Sequence, residues 1–277
     1  MRKILVPVDF SDASENVFVY ALEMAKLYKA ELLSLHTFEL PILDSQIVPF
    51  NYAEIYDAIE MSNFNHFNQE LRKFKAMAKA QNAEHIVMNH KMMVGELIKT
   101  IKEVVNQENI DFVVMGTNGA ESWFDSFLGT NTGNVISDVS VPVLSVAHDA
   151  KFHKIETIGF TTRYREKDIA ALEEVLGIAK KMKAKVKCLY VKTMISDVRG
   201  EAVSQWESHF REEQNLEFFI IPSEEINETI DEFLINQTID LLAMVTYKRN
   251  FFTQFFTTST TLKMSQHSRT PILALHE

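Results

Sequence analysis

Residues 111–135 read DFVVMGTNGAESWFDSFLGTNTGNV, an apolar run that stops at a glycine-rich segment and then enters a helical pattern. Four of the chain's eight glycines, Gly116, Gly119, Gly129 and Gly133, lie here. Glycine lets a backbone approach a ligand closely and take positive φ. A buried strand that ends in such a loop and leads to a helix offers free N–H groups and a positive dipole end to an anion. The spacing is Gly-x-x-Gly, nine residues, then Gly-Thr. It matches neither the dinucleotide fingerprint nor the phosphate loop that closes with Gly-Lys-Ser/Thr. No lysine or arginine lies between Lys102 and Lys151. A phosphate held here would depend on backbone donors, hydroxyls and a divalent cation.

Outward from this segment, strand and helix signals alternate. ILVPV (4–8) is a buried strand, and Ser11 precedes a helix with apolar residues at Val17, Ala21, Met24, Ala25 and Tyr28. ELLSLHTF (31–38) follows as a strand, then a loop around Pro41 and Pro49, and a long helix from Tyr52 to Ala80. Phe64, Phe67, Leu71, Phe74 and Ala78 mark its apolar side. EHIVMN (84–89) reads as strand, 96–107 as helix, 111–116 as strand, 130–138 as a short helix and VPVLSVA (141–147) as strand. Such alternation indicates open, mostly parallel sheets covered by helices on both faces.

The pattern then restarts. Lys3-Ile4 of KILVPVDFSDASE faces Lys154-Ile155 of KIETIGFTTRYRE at an offset of 151, and Pro142 of VPVLSV faces Pro271 of TPILAL at 129. The second copy is then about 22 residues shorter, chiefly for want of a 40–65 region. On these offsets Gly116, Gly119 and Gly129 become Val245, Lys248 and Thr258, and Asp9 becomes Phe160. The expected domains are 1–149, with the glycine motif, and 150–277, which keeps the fold-bearing residues without it.

Composition narrows the function. A 277-residue chain with 46% hydrophobic and 24% charged residues is long enough for two globular domains. MRKILVPVD is too short in its apolar part for a signal peptide, and no run reaches the length of a membrane span. A single cysteine, Cys188, sits in a strand-like segment and excludes disulfide frameworks and cysteine metal sites. These features lead us to expect a cytoplasmic protein with no membrane partner. The net charge of −10 argues against nucleic acid, which is bound first through its phosphates. The charge is concentrated: residues 1–150 hold 11 Lys+Arg against 20 Asp+Glu, and the remainder 17 against 18. The nine histidines show no zinc-ligand spacing, and no nucleophile meets a base at a known elbow, so no catalytic or metal-ligating residue is assigned. FFTQFF (251–256) carries two more phenylalanines than its counterpart around Trp123 and Phe127, to pack the second copy or to form a contact surface.

KILVPVDFSDAS, LLSLHTF, VGELIKTIKEVV with IDFVVMGTNG, and GTNTGNVI with VPVLSV together resemble a tandem universal stress protein. The family's Gly-x-x-Gly, nine residues, Gly-Ser/Thr motif is met by Gly116, Gly119, Gly129 and Thr130. The resemblance implies Rossmann-like domains related to the adenine nucleotide α-hydrolases, with ATP, AMP or ADP expected in the first domain together with Mg2+. Carried over by position, Pro7, Val8 and Asp9 line the floor and Thr37 flanks the base. Met115, Gly116 and Thr117 lie against the nucleoside, and Gly119, Gly129, Thr130, Asn131 and Thr132 hold the phosphates. The resemblance implies a regulatory role in stress adaptation and at most slow, incidental ATP hydrolysis. An interaction module of the same fold that uses no nucleotide is the alternative, because Asn118, Ala120 and Glu121 stand where relatives often place cations. An α-hydrolase enzyme would need a Ser-Gly-Gly loop after the first strand, and VPVDFSD has none. The resemblance also implies that Val141–Val146 and Thr270–Leu275 pair antiparallel within the chain, making a pseudo-dimer and leaving room for a homodimer. Thr161, Thr162, Arg163 and Arg165 follow the second copy's first strand, and a small anion there stays open.

Overall fold

The structure, a computed structural model, describes residues 2–40, 52–117, 131–147, 150–195, 198, 200–246 and 270–276. The chain divides into two compact units, Met1–Met115 and Gly116–Glu277. The first contains β1 (Lys3–Pro7), α1 (Asp12–Tyr28), β2 (Glu31–Phe38), α2 (Tyr52–Ala80), β3 (Met88–Val94), α3 (Leu97–Gln107) and most of β4 (Phe112–Thr117). Its strands are parallel in the order β3-β2-β1-β4. Ile4, Leu5 and Val6 of β1 are buried, as a strand covered on both faces requires. Phe18 of α1 stacks on Phe74 of α2 with ring centroids 4.2 Å apart. Phe67, Phe74 and Ala78 of α2 are buried, whereas Phe64 is exposed, so the apolar stripe is narrower than its spacing predicts.

The second unit holds α4 (Asn131–Asp138), β5 (Val143–Ala147), β6 (Thr157–Thr161), α5 (Glu166–Met182), β7 (Lys185–Lys192) and α6 (Gly200–His209). It continues through β8 (Leu216–Pro222), α7 (Ile226–Asn236), β9 (Leu241–Thr246) and β10 (Ile272–His276). Its strand order is β5-β10-β9-β6-β7-β8, parallel except that β5 and β10 run antiparallel. The division by contacts and the division by repeat differ because β5 pairs with β10. That pairing draws α4 and β5 into the second unit although they end the first repeat.

The β5–β10 register carries the expected antiparallel contact: Ile272 faces Ser145, Leu273 faces Leu144 and Ala274 faces Val143. Leu144 and Leu273 are repeat counterparts at the offset of 129, so the pairing is two-fold symmetric about its own equivalent residues. A self-complementary edge of this kind pairs with its copy and removes both edges from solvent.

Two sequence expectations need correction. The strand expected at 84–89 lies at Met88–Val94. Ile86 is buried but belongs to the preceding turn, with its N–H bonded to the Ala83 carbonyl. The strand reads as polar because β3 ends the strand order of its unit and is only half covered. The second correction is the offset between the opening segments. Lys3 registers with Glu31 and Thr157 with Lys185, and α1 and α5 begin at 12 and 166. Phe10 and Lys29, both at positive φ, recur as Tyr164 and Lys183. The structural offset is therefore 154, and Asp9 corresponds to Arg163 rather than Phe160. The Lys-Ile dipeptide misled because Ile155, though buried, precedes the strand.

Candidate functional site

In each unit the strand order reverses at a point where crossovers leave in opposite directions, between β1 and β4 and between β6 and β9. Open α/β sheets bind ligands beyond the carboxyl ends of the strands at such points. In the first unit the parallel register places Pro7 beside Leu35 and Leu5 beside Val113. Continued by two residues, it sets Asp9 level with Thr37 and Met115 level with Pro7. Pro7, Val8, Asp9, Thr37 and Met115 thus share one end of the sheet.

The loop after β1 is built from its own sequence. The Val8 N–H donates to the Leu35 carbonyl at 2.9 Å, and His36 Nδ1 lies 2.9 Å from the Val8 carbonyl. A carbonyl only accepts, so His36 carries its proton on Nδ1. Phe10 then turns the chain at φ 63°, a left-handed conformation that costs an L-residue roughly 1–2 kcal/mol. Its ring offsets this by packing on His36 at 4.4 Å, His66 at 4.9 Å and Phe67 at 5.8 Å. Ser11 caps α1 by accepting from the Ser14 N–H, the usual role of serine at this position.

Asp9 is exposed and sits between these devices. Its Oδ1 accepts from the Ser11 N–H at 3.1 Å, the Ser11 hydroxyl at 2.7 Å and the Ser14 hydroxyl. The Ser14 hydroxyl in turn accepts from the Asp9 N–H at 3.2 Å. Partial burial pushes the carboxyl up, but the bonds from Ser14 and Ser11 outweigh it and hold it below the ordinary range. Oδ2 takes none of these bonds. The group is a fixed carboxylate able to accept from a ligand hydroxyl or amine, or to hold a hydrated cation. Ser14 and His36 were not assigned from the sequence; the run Asp9-x-Ser11-x-x-Ser14 at a helix start is the signal that could have found the first.

Within the second unit, the Thr132 hydroxyl donates to the Gly116 carbonyl at 2.9 Å. This clamps the first turn of α4 to the end of β4. Thr132 is buried and its only hydroxyl proton is engaged, so the hydroxyl has no proton left to donate to a ligand. Thr117 is buried, Gly116 half-buried and Asn131 exposed. Gly119, Gly129 and Thr130 lie outside the described residues, as do Trp123, Phe127 and the FFTQFF run.

The counterpart loop of the second unit has the same shape and a different charge. Arg163, Tyr164 and Arg165 stand where Asp9, Phe10 and Ser11 stand, and Tyr164 turns the chain at φ 55°. The carboxylate has moved onto the helix as Asp168, the counterpart of Ser14. Its Oδ2 accepts from the Thr162 hydroxyl at 2.9 Å and from the backbone N–H groups of Arg163 and Arg165 at 3.1 and 3.4 Å. Asp168 is 1% exposed, so it supports the loop from below and offers a ligand nothing.

Elsewhere, Cys188 is buried in β7, and burial pushes its thiol well above the ordinary value. Among the described residues no three His, Cys, Asp or Glu side chains form a metal-holding group. No described helix is long and apolar enough to cross a membrane.

The universal stress protein family model matches residues 1–147. A universal stress protein of Methanocaldococcus jannaschii is 26% identical over 150 residues, 54% of this chain and 84% of its own. One from Synechocystis is 24% identical over 150 residues, 53% and 97% of the two chains. The crystal structure of a universal stress protein from Archaeoglobus fulgidus covers 99% of this chain and 96% of its own at a TM-score of 0.75 and 20% identity, a likeness of fold through both halves. With the family's pattern running through more than half its length, this chain belongs to the universal stress protein family.

Proposed function

We propose that residues 1–149 bind an adenine nucleotide together with Mg2+ and that the protein acts as a cytoplasmic stress regulator rather than an enzyme. Residues 150–277 form the second domain of this reading. The observation that carries it is the complete Gly116, Gly119, Gly129-Thr130 spacing in the segment the family model matches. Pro7 and Val8 floor the nucleoside, and Asp9, ionised and held by Ser11 and Ser14, accepts from the sugar or base or holds the hydrated cation. Thr37, Met115, Gly116 and Thr117 flank the nucleoside. Gly119, Gly129, Thr130, Asn131 and the Thr132 N–H supply the phosphate end. With no lysine or arginine between 102 and 151, Mg2+ supplies the positive charge.

Titration calorimetry with ATP, AMP and ADP, with and without EDTA, tests this. We expect binding with Mg2+ that weakens for ATP under EDTA and an Asp9→Ala loss of about tenfold or more, since bonds to charged groups contribute about 1.5–3 kcal/mol. Tight ATP binding that EDTA leaves unchanged removes the cation from the reading. Absence of binding, with no adenine nucleotide released on denaturation, favours the alternative of an interaction module that uses no nucleotide. Glu121 and Asp125 within the glycine segment are the feature that favours that alternative.

A further inference from the structure

The second unit contains a cavity of about 760 Å³, a volume within the range of small-molecule sites. One side of it is the β6–α5 loop, with Arg163, Tyr164 and Arg165. From β7, α6 and α7 come the aliphatic side chains Val191, Ala202, Ile226 and Ile230, beside Tyr190, Glu201 and Gln205. Neither Met244 nor Val245, the counterparts of Met115 and Gly116, lines it. Thr162, Arg163 and Val191, the counterparts of Val8, Asp9 and Thr37, do line it, so the cavity overlaps the transposed nucleoside end of the first domain's crevice without its β4 side.

We infer that this cavity is a binding site for a small organic anion with an apolar body, its charged head at Arg163 and Arg165 and its body against Val191, Ala202, Ile226 and Ile230. Three observations carry the inference. First, the loop is held from beneath: the Asp168 carboxylate accepts from the backbone N–H groups of 163 and 165 and from the Thr162 hydroxyl, which fixes the backbone that carries both arginines. Guanidinium groups on a fixed backbone suit a carboxylate or phosphate head through paired donors. Second, the charge of this loop is inverted relative to the first domain, where Asp9 occupies the place of Arg163. Third, Tyr164 lines the cavity at 6% exposure, and its hydroxyl finds no hydrogen-bond partner among the described residues. A buried hydroxyl in that condition gains most from a polar group or water that reaches it. Two glutamates also line the cavity: Glu224 accepts from the Met194 N–H at 2.6 Å, and Glu201 is exposed on the first turn of α6, where solvent screens it.

The inference does not rest on nucleotide binding in the first domain, and its test is separate. The full chain is titrated calorimetrically with octanoate, 1-octanol, octylammonium and inorganic phosphate. We expect saturable octanoate binding at least tenfold tighter than that of the other three. Arg163→Gln and Arg165→Gln should each weaken octanoate fivefold or more and leave 1-octanol unchanged. Circular dichroism checks their fold; Arg165 is exposed, so its variant decides the matter if Arg163→Gln fails to fold. The inference is overturned if octanol or octylammonium binds as tightly as octanoate, if phosphate alone does, if octanoate shows no saturable binding, or if Arg165→Gln binds octanoate like the parent.

Discussion

The loops at 7–14 and 161–168 hold the same course with almost nothing chemical in common. Each leaves a parallel strand, turns at an aromatic residue of positive φ and enters a 17-residue helix. The first presents a carboxylate braced by two serines; the second presents two arginines braced by a buried aspartate. What the loop keeps is the aromatic anchor and a polar brace between the strand end and the third helical residue. The charge at the first loop position can change sign because the bracing carboxylate can sit at either end: Asp9 accepts from Ser11 and Ser14 in one loop, and Asp168 accepts from the backbone at 163 and 165 in the other. This separation of frame from charge lets one fold carry two different crevices.

Removing the anchors should separate the two loops most strongly. Tyr164 is buried against Tyr190, Trp206 and Phe218, whereas Phe10 is half-buried. Tyr164→Ala should cost about 3–4 kcal/mol and Phe10→Ala about 1–2, by urea denaturation. Equal losses would mean that the aromatic groups do not hold the turns to different degrees.

The braces come next. Asp168→Ala leaves three donors without their acceptor and should cost about 3 kcal/mol, against about 1 for Ser14→Ala. If the serine costs as much as the aspartate, the buried carboxylate is not the chief support of its loop.

A third difference is titratable. Asp231 of α7 is buried where its counterpart on α3, Lys102, is exposed. Burial, with repulsion from Glu228, pushes the Asp231 carboxyl up to about 7. The folded state then keeps a proton that the unfolded chain releases near pH ~4. The resulting penalty is absent below that pH, grows as pH rises and is complete above about 7. Asp231→Asn should therefore raise the Tm at pH 8 by a few degrees, with the gain fading toward pH 4. A gain independent of pH would assign the effect to packing.

The smallest effect concerns the caps. Ser11 accepts from the helix it precedes, and Arg165, in the same position, has no oxygen to do so. Arg165→Ser should add about 0.5–1 kcal/mol, and Ser11→Arg should remove a similar amount. An unchanged midpoint for both would show that the brace already satisfies the helix end.

Much of the fold was readable along the chain. Alternating strands and helices follow from apolar runs and caps that act over a few residues, and the 52–80 helix agrees with its element end to end. The glycine spacing named the family because its constraint is local: close backbone approach excludes side chains. The strand at 88–94 was not readable, since a half-covered strand has too few apolar residues to announce itself. The repeat offset failed for a related reason. Sequence identity at Lys154-Ile155 carries no knowledge of register, and only strand pairing showed that the match lies three residues later.

The sequence by itself determined the α/β class, the internal duplication and the glycine motif, because each rests on local spacing. The tertiary structure alone decided that Arg163 replaces Asp9, that Asp168 lies beneath its loop and that the Thr132 hydroxyl is spent on Gly116. It also set the symmetric pairing of β5 with β10. These depend on hydrogen bonds and registers between residues distant along the chain or facing across a turn, where only the folded geometry selects the partner.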